Sequence, residues 1–206
     1  MRIGLTGGIG SGKSTVGQML VECGAVLVDT DAISRALTAP GGAAMPALQA
    51  EFGPEIVRPD GGLERDRMRA LAFSDPSAKS RLEAILHPMI KEATRAQAEA
   101  AGSRPVVFDV PLLTESAHWR HQVDRILVVD CTEDTQSQRV MQRSGWSQDQ
   151  VRQVMAKQAS RQERRAIADA VIFNEGLSLE ELRAQVQAIW RQWVPGMPQA
   201  PHAVEQ

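Results

Sequence analysis

The chain has 206 residues, 43% of them hydrophobic and 23% charged, with a formal net charge of −2. This length and balance suit one compact domain that buries a core without disulfides or a structural metal. The near-zero charge gives no overall field to draw in nucleic acid or an acidic membrane.

Arg2–Thr6 is a short apolar run ending in glycines, which reads as a buried strand. Helical periodicity over 13–23 puts Val16, Met19, Leu20 and Cys23 on one face, and Gly24 stops that helix. Ala25–Asp29 is a second apolar run of strand length, so the first 30 residues form a βαβ unit. Turns at Pro40-Gly41-Gly42 and Asp60-Gly61-Gly62 punctuate a helix-favouring stretch, whose longest helix starts at Ser74-Asp75-Pro76 and runs to about Ala101, bent at Pro88. Pro105–Val110 and Arg125–Asp130 are continuous apolar runs, as expected of strands covered on both faces. Helices are expected at 133–143 and 147–167, a last strand at Ala170–Phe173 and an amphipathic helix at Ser178–Trp193. Residues 194–206 hold three prolines and little apolar material, the composition of a disordered tail.

Cys23 and Cys131 stand outside any CxxC or Cys/His cluster, which favours two reduced thiols in a cytoplasmic protein over a disulfide or zinc site. No apolar run approaches the roughly 20 residues of a membrane span. Gly and Lys also interrupt the first apolar stretch too early for a signal peptide.

Gly7-Gly8-Ile9-Gly10-Ser11-Gly12-Lys13-Ser14 matches G-x-x-x-x-G-K-[ST] in full, with a strand before it and a helix after it. The glycines let successive N–H groups curl around a phosphate, and the helix start adds its positive end. Gly8, Gly10, Ser11 and Gly12 would cradle the nucleotide, Lys13 would bridge its β- and γ-phosphates, the Ser14 hydroxyl would hold Mg²⁺, and Thr15 would reach the α-phosphate. A guanine-reading Asn-Lys-x-Asp segment is missing, because the single asparagine, Asn174, is followed by Glu-Gly. That excludes a switch GTPase with ordinary base recognition, and size disfavours a motor or transporter ATPase. A small-molecule kinase remains, with an acceptor-binding insertion and an arginine-bearing lid; a non-catalytic ATP-binding regulator is the alternative from another class.

Gly4–Thr15, Asp29–Arg35, Leu86–Ile90, Val110–Glu115, Arg139–Arg143 and the stretch Gln158–Gly176, in this order, give the chain its resemblance to the dephospho-CoA kinases. Thr30 departs from the alanine common there. The resemblance implies a three-layer α/β P-loop fold with a mainly parallel five-stranded sheet. It further implies a core of 1–30, 105–138 and 168–193, a helical acceptor-binding insertion over about 31–104, and a lid over about 139–167. It implies transfer of the ATP γ-phosphoryl group to the ribose 3′-hydroxyl of dephospho-CoA, with ATP as co-substrate, Mg²⁺ as cofactor, and ATP and dephospho-CoA as small-molecule partners in place of nucleic acid or membrane. Another nucleoside monophosphate or small-molecule kinase of the same fold is the nearest alternative.

The second aspartate of the Asp-x-Asp block, Asp31, takes the role of catalytic base by that resemblance; its bland reading is a helix N-cap, and Asp29 reads as a cap or supporting partner. Aspartate is a weak base, so orienting the 3′-hydroxyl would be the larger part of its work. Asp109 and Asp130 each end an apolar strand in the manner of a Mg²⁺-holding aspartate, and the resemblance, through the Pro111-Leu112-Leu113 that follows, implies Asp109.

The arginine bias now has a location. Lys13, Lys79, Lys91 and Lys157 are the only lysines among 23 basic residues. The segment 139–165 sums to +5, leaving −7 on the rest of the chain. Arg139 and Arg143, one helical turn apart and followed by a Ser144-Gly145 hinge, are candidates to clamp the transferring phosphoryl group. Arg161 is a further candidate, whereas Arg152, Lys157, Arg164 and Arg165 equally suit a solvated face. Asn174 and Gly176, after the last strand, are expected near the adenine, and the resemblance implies Arg35, Arg65, His87 and Pro88 on the acceptor side. His87 also reads as a packed helix histidine.

Overall fold

The computed structural model describes residues 1–196, and the tail expected to be disordered lies, from 197 onward, outside the described residues. Five strands, β1 (Arg2–Gly7), β2 (Val26–Asp29), β3 (Val106–Asp109), β4 (Arg125–Asp130) and β5 (Ala170–Phe173), form one sheet in the order β2-β3-β1-β4-β5. β1 runs parallel to both β3 and β4, with Leu5 opposite Asp109 and Leu127, and β4 runs parallel to β5. This is the parallel α/β architecture expected of the sequence, and the bounds of β4 and β5 coincide with the apolar runs that predict them.

The chain divides into two compact units, residues 1–28 with 101–196, and 29–100. In the first, α1 (Lys13–Glu22) and α10 (Leu179–Trp193) cover one face of the sheet. Ile3, Leu5, Val107, Leu127, Val129 and Ile172 point into that layer and meet Val16, Leu20, Leu182, Val186 and Trp190. On the other face a Cβ at Gly4 would collide with Leu113, so the strand must be bare there for the loop after β3 to close over it. The connection from β3 holds a short helix, α6 (Ala117–Arg120), and Asp169 ties β5 to the start of β4 by accepting from Ile126 N–H at 2.7 Å and pairing with Arg125.

The same unit carries α7 (Glu133–Ser144), α8 (Gln148–Met155) and α9 (Arg161–Ala166). The continuous helix expected over 147–167 is therefore two helices. The break follows from a capping box at Ser160: its hydroxyl accepts from Glu163 N–H while the Glu163 carboxylate takes Ser160 N–H, which starts a new helix after the turn at 156–160.

The second unit contains α2 (Thr30–Leu37), α3 (Met45–Phe52), α4 (Arg65–Ser74) and α5 (Pro76–Ala100), with Pro88 inside α5. Its own core gathers Ala44, Met45, Leu48, Ile56, Leu63, Met68 and Ala78. Asp29, not Asp31, is the N-cap of α2: its carboxylate accepts from Ala32 N–H at 2.8 Å, and Asp31 lies inside the first turn. The bland reading of Asp31 as a cap is thereby corrected.

Candidate active site

The loop between β1 and α1 follows from its glycines, but the reason is partly internal. Gly12 sits at φ 95°, in the left-handed region, and a Cβ there would run into the Asn174 amide. A Cβ at Gly8 would come within 2.7 Å of Arg164 Nη2 and 2.9 Å of Gln136 Oε1. The loop is thus packed from behind by α7, α9 and the segment after β5, which leaves no room for side chains on that side.

Asn174, buried after β5, donates from Nδ2 to the Ser11 carbonyl at 2.8 Å, and its own carbonyl accepts from Arg139 Nη2 at 3.1 Å. Arg139 Nη1 also reaches the Ser11 carbonyl at 3.5 Å. Two residues placed by sequence near the nucleotide, Arg139 and Asn174, therefore converge on one carbonyl of the loop. Arg143, one turn further along α7, is exposed and makes no hydrogen bond or ion pair with a described residue. Gly176 is exposed at φ 66°.

Lys13 opens α1 and its ammonium forms an ion pair with Asp109, the last residue of β3. Asp130, the competing carboxylate, is committed elsewhere: Arg161 holds it with two hydrogen bonds of 2.8 Å, from Nε to Oδ1 and from Nη2 to Oδ2. The pairing raises the Arg161 pKa, and the guanidinium also lies 5.7 Å from the centroid of the Phe173 ring. Ser14 and Thr15 are exposed at the start of α1.

Sequence reasoning missed several groups that shape the loop. Gln136 is fully buried, donates to the Cys131 carbonyl at 3.2 Å, and lies behind Gly8 and Gly10. Arg164, weighed as a solvated charge, is buried; burial lowers its pKa, and Nη1 donates to the Ala159 carbonyl at 2.6 Å. Gln158 Oε1 accepts from Ile9 N–H in the loop itself at 3.0 Å. The Ser160-x-x-Glu163 capping box is a local signal for the helix break that the reading of one continuous helix passed over, but nothing local marks which glutamine lands on the loop.

In the second unit, Asp31, Arg35, Arg65, His87 and Pro88 are all exposed. Arg35 stands 3.5 Å from the Asp29 carboxylate, and Arg65 donates to the Thr38 hydroxyl at 3.0 Å. His87 is on an open face of α5, so the packed-histidine reading does not hold.

The described residues include no cluster of three or more His, Cys, Asp or Glu able to hold a metal, and no helix long and apolar enough to cross a membrane. Cys23 and Cys131 are both free and buried.

The dephospho-CoA kinase family profile matches residues 1–180. A dephospho-CoA kinase of Burkholderia thailandensis is 52% identical over 200 residues, covering 97% of this chain and 98% of the relative. Among solved structures, a Thermus thermophilus protein aligns with a TM-score of 0.80 at 33% identity, covering 93% of this chain and 97% of its own. A dephospho-CoA kinase from Campylobacter jejuni aligns with a TM-score of 0.67 at 20% identity, covering 93% and 96%, which speaks to the fold alone.

Proposed function

This chain belongs to the dephospho-CoA kinase family, and we propose on that premise how its own residues move the γ-phosphoryl group of ATP onto the ribose 3′-hydroxyl of dephospho-CoA. The activity is that of an ATP-dependent kinase acting at the last step of coenzyme A biosynthesis. Phosphoryl transfer asks the protein mainly for positioning and charge stabilisation, plus a group to take the acceptor's proton.

The loop Gly8–Thr15 binds the phosphate chain of ATP, with Gly10, Gly12 and Ser14 lending backbone N–H groups, Ser11 N–H holding the loop closed on the Gly8 carbonyl at 3.1 Å, and Lys13 neutralising the β- and γ-phosphates. Arg139 and Arg143 clamp the transferring group; the anchoring of Arg139 to Ser11 and Asn174 supports its half of that role. Asn174 and Gly176 border the adenine.

Magnesium fits the donors at hand. Ser14 and Asp109 offer a hydroxyl and a carboxylate, hard oxygens, and Mg²⁺ is commonly held by one or two such groups together with substrate phosphates. When bound it neutralises charge on the phosphates. Asp109, beside Lys13, is the carboxylate that faces the phosphate-binding cation.

On the acceptor side we assign Arg35, Arg65, His87 and Pro88 to dephospho-CoA binding and the 29–100 unit to the acceptor insertion. Asp31 orients the 3′-hydroxyl and accepts its proton. Residues 139–167 act as the lid. The two buried, unbridged thiols and the net charge of −2 support a cytoplasmic enzyme of small molecules rather than of nucleic acid.

The observation that carries this reading is the full phosphate-loop motif with Lys13 set against Asp109 in a chain of this family. ADP release in the presence of ATP and a panel of acceptors tests it. Release with dephospho-CoA, and none with AMP or shikimate, is expected; the reverse pattern would overturn it.

A further inference from the structure

The turn between α8 and α9 is held at each successive residue. Gln158 N–H donates to the Met155 carbonyl at 3.0 Å, and Ala159 N–H donates to Glu115 Oε1, from the loop after β3, at 2.7 Å. The Ala159 carbonyl accepts from Arg164 at 2.6 Å, and Ser160 N–H donates to Glu163 at 2.7 Å. The backbone that carries Gln158 is therefore fixed before any side-chain contact is counted. From it the Gln158 carboxamide reaches Ile9, the neighbour of Gly8, against which Arg164 also packs.

The orientation of that carboxamide follows from chemistry. Ile9 N–H is only a donor, so the atom facing it must be the side-chain oxygen. The amino group is thereby turned to the other side, with two N–H donors that no described residue accepts. A half-buried amide held against a phosphate-binding loop, with its donors unused, is suited to an anionic oxygen acceptor.

We propose that Gln158 is a nucleotide-binding residue: Ile9 N–H holds its oxygen, and its amino group donates to the phosphate chain of bound ATP. Through it the α8–α9 turn senses that the loop is loaded, while Glu115 and Arg164 keep the turn in place. The proposal rests on the reading of Gly7–Ser14 as the ATP site.

Gln158→Glu is the discriminating change, because it keeps the size of the side chain and still accepts from Ile9 N–H, but it replaces the donor by a carboxylate. Binding of a non-hydrolysable ATP analogue is expected to weaken by roughly tenfold or more, the range for loss of a hydrogen bond to a charged group. The kcat/KM for ATP should fall with it, while the KM for dephospho-CoA and the thermal midpoint stay as in the parent. Parent-like analogue affinity and turnover in Gln158→Glu would overturn the proposal and leave the residue a brace for Ile9. Lys13→Ala serves as the control: if it binds the analogue as the parent does, the ATP-site reading itself fails. If Lys13→Ala loses binding and Gln158→Glu does not, only the role of Gln158 fails. In the unmutated protein, the side-chain amide resonance of Gln158, assigned by its loss in Gln158→Ala, should shift on titration with the analogue. No shift at saturation would equally overturn the proposal.

Discussion

Lys13 and Asp109 are 96 positions apart in the chain, yet the first residue of α1 and the last residue of β3 meet as an ion pair. Their side chains are only 16% and 7% exposed, so the pair lies where water screens it weakly. A cation placed this way is already oriented when an anionic substrate arrives. Lys13→Ala is expected to weaken ATP binding by more than tenfold and to lower turnover by about 10²–10³-fold, the scale for losing one preorganised electrostatic partner. Asp109→Asn should leave ATP affinity nearly intact and raise the Mg²⁺ concentration needed for half-maximal turnover. Calorimetric titration with ATP and a Mg²⁺ series at saturating substrates separate the two effects.

Asp31 lies in the first turn of α2, exposed, with the capping duty taken by Asp29. Freed from a structural role, Asp31 can be altered without loss of the helix. Asp31→Asn should retain ATP affinity and thermal stability and lose about 10²-fold or more in turnover, the range for general acid–base groups. Asp29→Ala should instead lower the melting temperature through the lost cap, by about 1 kcal/mol of stability. Parallel turnover and melting measurements on the two variants check the division of labour.

Arg161 and Arg143 make a contrasting pair of arginines. Arg161 neutralises Asp130, whose side chain is 1% exposed, with Arg165 at 3.9 Å and the buried Arg164 as more distant cations. Arg161→Ala leaves a buried carboxylate undercompensated and should destabilise the fold by about 2–3 kcal/mol, at the low end for broken buried pairs because Arg161 is partly exposed. Arg143, exposed and without a described partner, should change stability by less than about 0.5 kcal/mol on truncation. Its removal should nevertheless slow turnover if it clamps the transferring group. Urea unfolding beside steady-state kinetics gives both readings.

Glu175 ties the segment after β5 to the start of α7. It accepts from the Thr135 hydroxyl and from Thr132 N–H, and these hydrogen bonds hold its carboxyl below the usual glutamate value. Because the folded pKa is depressed, the stabilisation is fully present above the unfolded value of about 4.3 and is lost as pH falls through the folded value. Glu175→Gln should therefore lower the urea midpoint at pH 7, and the difference from the parent should shrink by pH 3.

The sequence by itself determined the phosphate loop and the strands around it. Strand, glycine turn and helix are consecutive in the chain, and their signals, an apolar run followed by G-x-x-x-x-G-K-S and a 3.6-residue period, are local. The β4 and β5 runs were legible for the same reason. Asp109 and Asp130 were not separable in this way, since each ends an apolar strand beside β1. Only tertiary packing set Lys13 against the first and delivered Arg161 to the second. The break before Ser160 had a local cap, but the helix-favouring residues on either side concealed it. The placement of Gln136, Gln158 and Arg164 against the loop carried no local sign, because the groups they meet there, Gly8, Gly10 and the Ile9 amide, lie more than 120 positions away, and the Ala159 carbonyl that holds Arg164 sits in a turn that exists only once α8 and α9 are packed. Periodicity records which face of an element is buried; it does not record which polar group from another element will meet it there.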